Sequence, residues 1–286
     1  MAGPLGLIAG LGDLPVRIAE AAEDRGERVY VLRVAGYTEP RLDRFPGEIV
    51  GFGEIGRQIR LLKTAGCETL VFAGVVRRPD FGKLKLDMRG ARLLPKVLAA
   101  ARKGDDALLR TLLGEFEKEG FRIIGAHEAD TALLAETGLI AGPEPDAAAR
   151  DDVHRAMQVA RAIGNLDVGQ GCVVCDGLVL AVEAQEGTDR MLERVATLDP
   201  AIRGTPGARR GVLAKCPKPI QDRKIDLPTI GVTTVNGAAK AGLAGIAIEG
   251  GGALILDLQG VIAAADRHGL FVFGVPPGAS DQPGQG

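Results

Sequence analysis

Residues 5–34 read L-G-L-I-A-G-L-G-D-L-P-V-R-I-A-E-A-A-E-D-R-G-E-R-V-Y-V-L-R-V, and their rhythm decides the fold class. Residues 5–10 are apolar and few enough for a buried strand rather than a helix. The turn G-L-G-D-L-P follows at once. Over 16–24 the apolar residues return at helical spacing, and 28–34 is apolar again. Strand, turn, helix, strand is a βαβ unit, and a chain of such units builds a mainly parallel sheet.

The pattern continues outward. Residues 49–52 and 69–73 read as strands, with a helix over 57–64 between them. Helices follow over 89–103 and 105–119, parted by Gly104 and with Asp105 available as a cap; 121–125 returns as a strand. Glycine and proline then cluster around Gly142, Pro143 and Pro145, the best linker in the chain. The second half opens with a helix over 147–163. Paired strands at 173–174 and 178–182 flank Asp176-Gly177, and a helix follows Thr188. Strands over 211–214, 229–234, 245–248 and 253–256 come next, then a helix to Asp266 and a last strand over 270–273. The expected fold class is α/β in two domains, a Rossmann-like parallel sheet over 1–141 and a second α/β domain over 142–275. The tail over 276–286 reads as disordered.

Composition narrows the function. The 286 residues are 46% hydrophobic and 25% charged, enough for a real core in each half. A net charge of −2, a pI near 6.0 and no Trp argue against a nucleic-acid partner. The 41 glycines point to tight turns and close backbone approaches to ligand. Four cysteines and three histidines are too scattered for a disulfide framework or a zinc site. Cys172 and Cys175 form a C-x-x-C inside a strand, where they read as small buried hydrophobes rather than a redox pair. His127, His154 and His268 read as surface or helix-end residues. The N-terminus lacks the charged region of a signal peptide, and no apolar run reaches the roughly 18–20 residues that span a bilayer. A cytoplasmic protein is expected.

The chemistry concentrates in residues 215–234, K-C-P-K-P-I-Q-D-R-K-I-D-L-P-T-I-G-V-T-T. Three prolines stiffen a loop that carries Lys215, Lys218, Arg223 and Lys224 beside Asp222 and Asp226. Cations neutralise phosphate oxygens, and a carboxylate holds Mg2+ or positions water, so the loop suits a phosphate-plus-metal site. Its bland alternative is a surface turn with ordinary charges. Gly187-Thr188-Asp189 opens a helix after Glu183 and Glu186; it is either a plain cap or a phosphate-binding helix start. Gly10-Leu11-Gly12 follows the first strand as a dinucleotide fingerprint would. The third glycine position is Pro15, however, and no ribose-binding acid ends the next strand, which weakens a nicotinamide reading. Gly74 and Val75 end another strand beside Arg77 and Arg78, where α/β sheets gather ligands. The basic, amphipathic stretch over 81–103 reads either as an acyl-chain or membrane surface or as a core-facing helix with a solvated side. There is no G-x-S-x-G, P-loop or H-E-x-x-H.

Four segments together resemble the LpxI-type UDP-2,3-diacylglucosamine pyrophosphatases of lipid A synthesis: G-L-I-A-G-L-G-D-L-P, V-F-A-G-V-V-R-R-P, V-E-A-Q-E-G-T-D-R-M-L-E-R and the 215–234 loop. The resemblance implies two domains with substrate in a cleft between them. It implies hydrolysis of UDP-2,3-diacylglucosamine to UMP and 2,3-diacylglucosamine 1-phosphate (lipid X), with Mg2+. Asp226 is then the essential aspartate and metal ligand, and Asp222 its partner. Gly10, Leu11, Gly12, Gly74, Val75, Gln170, Gly187, Thr188, Asp189, Lys215 and Thr233 would line the substrate. Peripheral contact with the cytoplasmic face of the inner membrane would follow from the lipid substrate. The rivals are an NAD(P)-dependent oxidoreductase using the Gly10–Gly12 turn and a non-catalytic lipid or sugar-nucleotide binding protein. NAD(P)H binding tests the first, and Mg2+-dependent product formation tests the second.

Overall fold

A computed structural model describes residues 3–77, 79–218 and 227–278. The chain divides into two compact units, Met1–Ala132 and Leu133–Gly286. The division falls ahead of the 141/142 boundary that the Gly–Pro cluster suggested. Residues 138–141 form a strand paired to the last strand of the second unit, so the cluster lies inside that unit.

The first unit is a five-stranded sheet of β1 (Leu5–Ala9), β2 (Val29–Val34), β3 (Gly47–Val50), β4 (Thr69–Ala73) and β5 (Arg122–Ile124). Its order is β3-β2-β1-β4-β5, and every pairing is parallel. Helices α1 (Asp13–Asp24), α2 (Ile55–Thr64), α3 (Met88–Ala101), α4 (Asp105–Glu117) and the single turn α5 (Ala126–Ala129) complete it. Leu7, Leu32 and Leu70 on the strands and Ile18 and Leu62 on the helices are fully buried. Each such side chain contributes roughly 1.5–3 kcal/mol, so these few residues outweigh any surface pairing. Phe116 of α4 meets Phe72 of β4 edge-on at 5.3 Å. The α4 capping position is Gly104, and Asp105 is the first helical residue rather than the cap. In α3, Leu93 and Val97 face inward while Arg92 and Lys96 are exposed, the core-facing alternative. Met88, 75% exposed, and Leu98 leave an apolar element on the basic side as well.

The second unit holds a six-stranded mixed sheet, ordered β6-β13-β11-β9-β7-β8. Its strands are β6 (Gly138–Ala141), β7 (Gly171–Cys175), β8 (Leu178–Val182), β9 (Val212–Lys215), β11 (Gly245–Glu249) and β13 (Phe271–Val275). A two-stranded ribbon of β10 (Thr229–Ile230) and β12 (Leu254–Ile255) lies beside it in sequence. α6 (Ala147–Asn165) packs against Cys172, Val174, Val212 and Ala214. α7 (Gly187–Ala196), α8 (Val232–Lys240) and α9 (Leu258–His268) cover Val173, Leu213 and Ile246 on the other face. Alternation along each strand thus splits the core into two layers.

The strand expected over 229–234 is only two residues long. Gly231 ends it, and from Val232 the chain is helical, with Val235, Ala238 and Ala239 buried at helical spacing. Burial of that stripe overrides the β-branched V-T-T-V preference.

The β7–β8 hairpin turns at Asp176 and Gly177 with φ of 50° and 78°, the left-handed pair that a two-residue hairpin needs. Buried Asp152 of α6 accepts from both turn N–H groups, at 2.9 Å from Asp176 and 2.7 Å from Gly177. Asp152→Ala leaves those donors without their acceptor and removes roughly 1–3 kcal/mol of stability. Urea unfolding followed by circular dichroism checks it, and an unchanged midpoint contradicts it.

Candidate active site

In the first unit the strand order reverses at β1, whose neighbours β2 and β4 leave in opposite directions along the chain, and ligands gather at such a point. There Gly10, Leu11 and Gly12 meet Gly74 and Val75. Leu11 N–H donates to the Val75 carbonyl at 3.1 Å, and Val75 N–H returns a bond of 2.8 Å. Gly74 takes φ of +90°, and a Cβ on it would stand 2.8 Å from Gly10 backbone; one on Gly10 would stand 2.7 Å from the Val75 oxygen. The glycines therefore serve loop-on-loop contact. The Val75 side chain, 62% exposed, and the exposed Leu11 cap the junction with apolar surface.

No side chain caps α1, whose capping residue is Gly12. Arg41 donates to Asp13 at 2.6 Å and to Glu39 at 2.9 Å. The Arg41 guanidinium, with help from the Gly12 N–H, holds the Glu39 carboxyl below its usual range. Arg41 thus ties the Glu39 carboxylate to Asp13 in the first turn of α1. Arg77 is exposed and its carbonyl accepts from Tyr37; Arg78 lies outside the described residues.

In the second unit the polar residues collect where β8, β9 and β11 end. Alternation puts Lys215, two residues on from Leu213, on the face covered by α7 and α8. Its register partner on β7 is Gly171. Lys215 is 4% exposed, and its Nζ donates to the Thr229 carbonyl of β10 at 3.2 Å. α8 begins just after that strand, with Gly231 as capping residue and Thr233 exposed in its first turn. Gln170 precedes β7; its Oε1 is buried without a hydrogen-bond partner among the described residues.

Glu183 follows β8 on the same face as Ala181. It is 7% exposed; Oε1 accepts from the Thr188 hydroxyl at 2.7 Å, while Oε2 is buried with no partner among the described residues. Gly187, Thr188 and Asp189 open α7, whose capping position has no side-chain bond, and Asp189 is exposed. α7 packs on α8, so the two helices share this face of the sheet. Buried polar atoms without partners are rare, and the Glu183 Oε2 at the end of a strand on this face marks a place made for a ligand.

Sequence reading singled out Gln170, Lys215, Gly187, Thr188, Asp189 and Thr233. All stand at the ends of β7, β8 and β9 or in the first turns of α7 and α8. It passed over Glu183 as a site residue. The available signal was Gly169-Gln170-Gly171, because a Cβ on Gly169 would lie 2.0 Å from the Glu183 carbonyl and one on Gly171 2.7 Å from Oε2. Asp222 and Asp226 lie outside the described residues. On the opposite face Arg161 of α6 pairs with Glu249 at 2.8 Å.

The thiols next along the chain from this site, Cys172 after Gly171 and Cys216 after Lys215, are buried among the α6-side residues. Burial pushes the Cys172 and Cys216 thiols up to about 12, so neither is a ready nucleophile. Among the described residues there is no group of three or more metal-ligating His, Cys, Asp or Glu side chains. No described helix is long and apolar enough to cross a membrane.

Residues 4–133 match the family model of the LpxI N-terminal domain, and residues 136–273 match that of the LpxI C-terminal domain. The UDP-2,3-diacylglucosamine pyrophosphatase LpxI of Caulobacter vibrioides is 55% identical over 273 residues, spanning 96% of this chain and 98% of that protein. The chain belongs to the LpxI family.

Proposed function

We propose that this protein hydrolyses the pyrophosphate bond of UDP-2,3-diacylglucosamine, giving UMP and 2,3-diacylglucosamine 1-phosphate. The Caulobacter relative's name supports the substrate. The buried amino group of Lys215 supports the position of the chemistry most directly, because an ammonium shut away from water needs an anion to offset its desolvation. One of its three donors is occupied by the Thr229 carbonyl. Among the described residues the other two have no partner, and charge-assisted bonds to phosphate oxygens are the stronger sort.

The first turns of α7 and α8 add backbone N–H groups that no capping side chain claims, the usual furniture of a phosphate site. A diphosphate diester gathers charge on its oxygens as water adds to one phosphorus and the bridging P–O bond breaks. Fixed cations and dipoles stabilise that charge without reorganising. No covalent nucleophile is required.

Mg2+ fits this site in part. It takes oxygen donors, and the unpartnered Gln170 Oε1 is one. Asp226, with Asp222 assisting, would supply carboxylate oxygens. When bound, the ion would draw charge off the phosphate oxygens. Met88 and Leu98 among the exposed Arg92 and Lys96 of α3 suit the anionic membrane that carries the lipid.

Two results follow. Lys215→Gln on folded protein lowers kcat/KM for UDP-2,3-diacylglucosamine by about 10²–10³-fold, the usual cost of one preorganised donor, and Lys215→Arg recovers part of it. Turnover equal to wild type in Lys215→Gln contradicts the assignment. Separately, EDTA abolishes product formation, Mg2+ restores it, and Asp226→Ala stays inactive with the metal present. Full turnover by Asp226→Ala removes that residue from the mechanism, and binding without turnover at any Mg2+ concentration leaves a binding protein.

A further inference from the structure

We propose that Glu183 and Thr188 act together as a paired acceptor that reads a sugar hydroxyl of the ligand; this rests on the sugar-nucleotide reading above. The Thr188 hydroxyl has one proton, and it is committed to Glu183 Oε1 at 2.7 Å. Thr188 Oγ1 therefore meets a ligand with lone pairs only. Glu183 Oε2 is an acceptor as well, buried and without a donor among the described residues. A phosphate oxygen brought to these two side chains would face acceptors alone, so a phosphate at α7 is left to its backbone N–H groups. The hydroxyl of Thr188 is thus unsuited to the phosphate contact that its place at a helix start suggests.

The unmet need is for a donor, and the surroundings choose which kind. Lys215 stands on the same face, in register with the Gly171 position that Oε2 overlies. A divalent cation at Oε2 would share this face of the sheet with a fixed ammonium. A neutral O–H would satisfy the carboxylate with no such repulsion. The chain is also shaped to admit this carboxylate, since Gly169 and Gly171 both lack the side chain that would collide with Glu183. Glu183 is then a positioning residue for Thr188 through Oε1 and a specificity residue through Oε2. A ligand hydroxyl at this corner comes either from the ribose or from the glucosamine ring.

The test is calorimetric binding in EDTA of UMP, 2′-deoxy-UMP and glucosamine 1-phosphate. Wild type is compared with Glu183→Gln, Thr188→Ser and Thr188→Val, each checked for folding by thermal melting. If the ribose is read, wild type prefers UMP over 2′-deoxy-UMP by about tenfold or more. Glu183→Gln, whose amide turns the free acceptor into a donor, and Thr188→Val both lose the preference, while Thr188→Ser keeps it. If the glucosamine is read, UMP and its deoxy analogue bind alike, and glucosamine 1-phosphate binds at least about tenfold more weakly to Glu183→Gln and Thr188→Val. Folded variants that bind all three ligands as wild type does overturn the proposal. Should Glu183→Gln fail to fold, the Ser and Val pair decides by the same ratios. Failure of the sugar-nucleotide reading shows separately, as wild type that does not hydrolyse UDP-2,3-diacylglucosamine.

Discussion

An ammonium group buried at the end of a β-strand sets the terms for the second unit. Moving such a charge out of water costs several kcal/mol even after the protein relaxes. Among the described residues its Nζ bonds one neutral carbonyl, that of Thr229, which offsets little of it. A ligand phosphate is the countercharge we propose. The arrangement is stable because Lys215 extends a strand whose other residues, Val212, Leu213 and Ala214, are fully buried. Hydrophobic burial on both faces of β9 carries the strain of its polar end, so the lysine is held in place before any ligand arrives.

The same sheet separates two kinds of polar chemistry by parity. Lys215 and Glu183 fall on the face of α7 and α8, and Glu249 falls on the face of α6, where it meets Arg161. One residue of register exchanges these roles. On the α6 side Arg161 and Glu249 pair with each other, while on the α7–α8 side Glu183 Oε2 keeps unmet hydrogen-bonding capacity, which is why the second is read as the site. In the first unit the loops after β1 and β4 close on each other through the Leu11–Val75 bridge, and Arg41 ties Glu39 to Asp13 in the first turn of α1. That economy argues against a nicotinamide cofactor there and leaves an apolar cap formed by Leu11 and Val75.

Much of this was legible in the residues. The strand–helix alternation of the first half and the Asp176-Gly177 hairpin follow from periodicity and from turn residues that tolerate positive φ. Three features were not. β6 hides among glycines and prolines because its pairing to β13 is a long-range event. Residues 232–234 look like a strand, yet the helical stripe they begin is buried against α7, a fact no local window contains. Glu183 reads as one acid among several near a helix start; only the register of β7 against β8 and β9 reveals that two glycines make room for it. The resemblance to the pyrophosphatases pointed to Lys215 and Thr188, but it did not show that the Thr188 proton is already spent.

A crystal structure of the protein with UMP and Mg2+ examines the central claim most directly. The account predicts a phosphate oxygen within about 3 Å of Lys215 Nζ, hydrogen-bond distance for an ammonium donor. UMP seated away from the β9 end, with Lys215 still bonded to the Thr229 carbonyl alone, would contradict it.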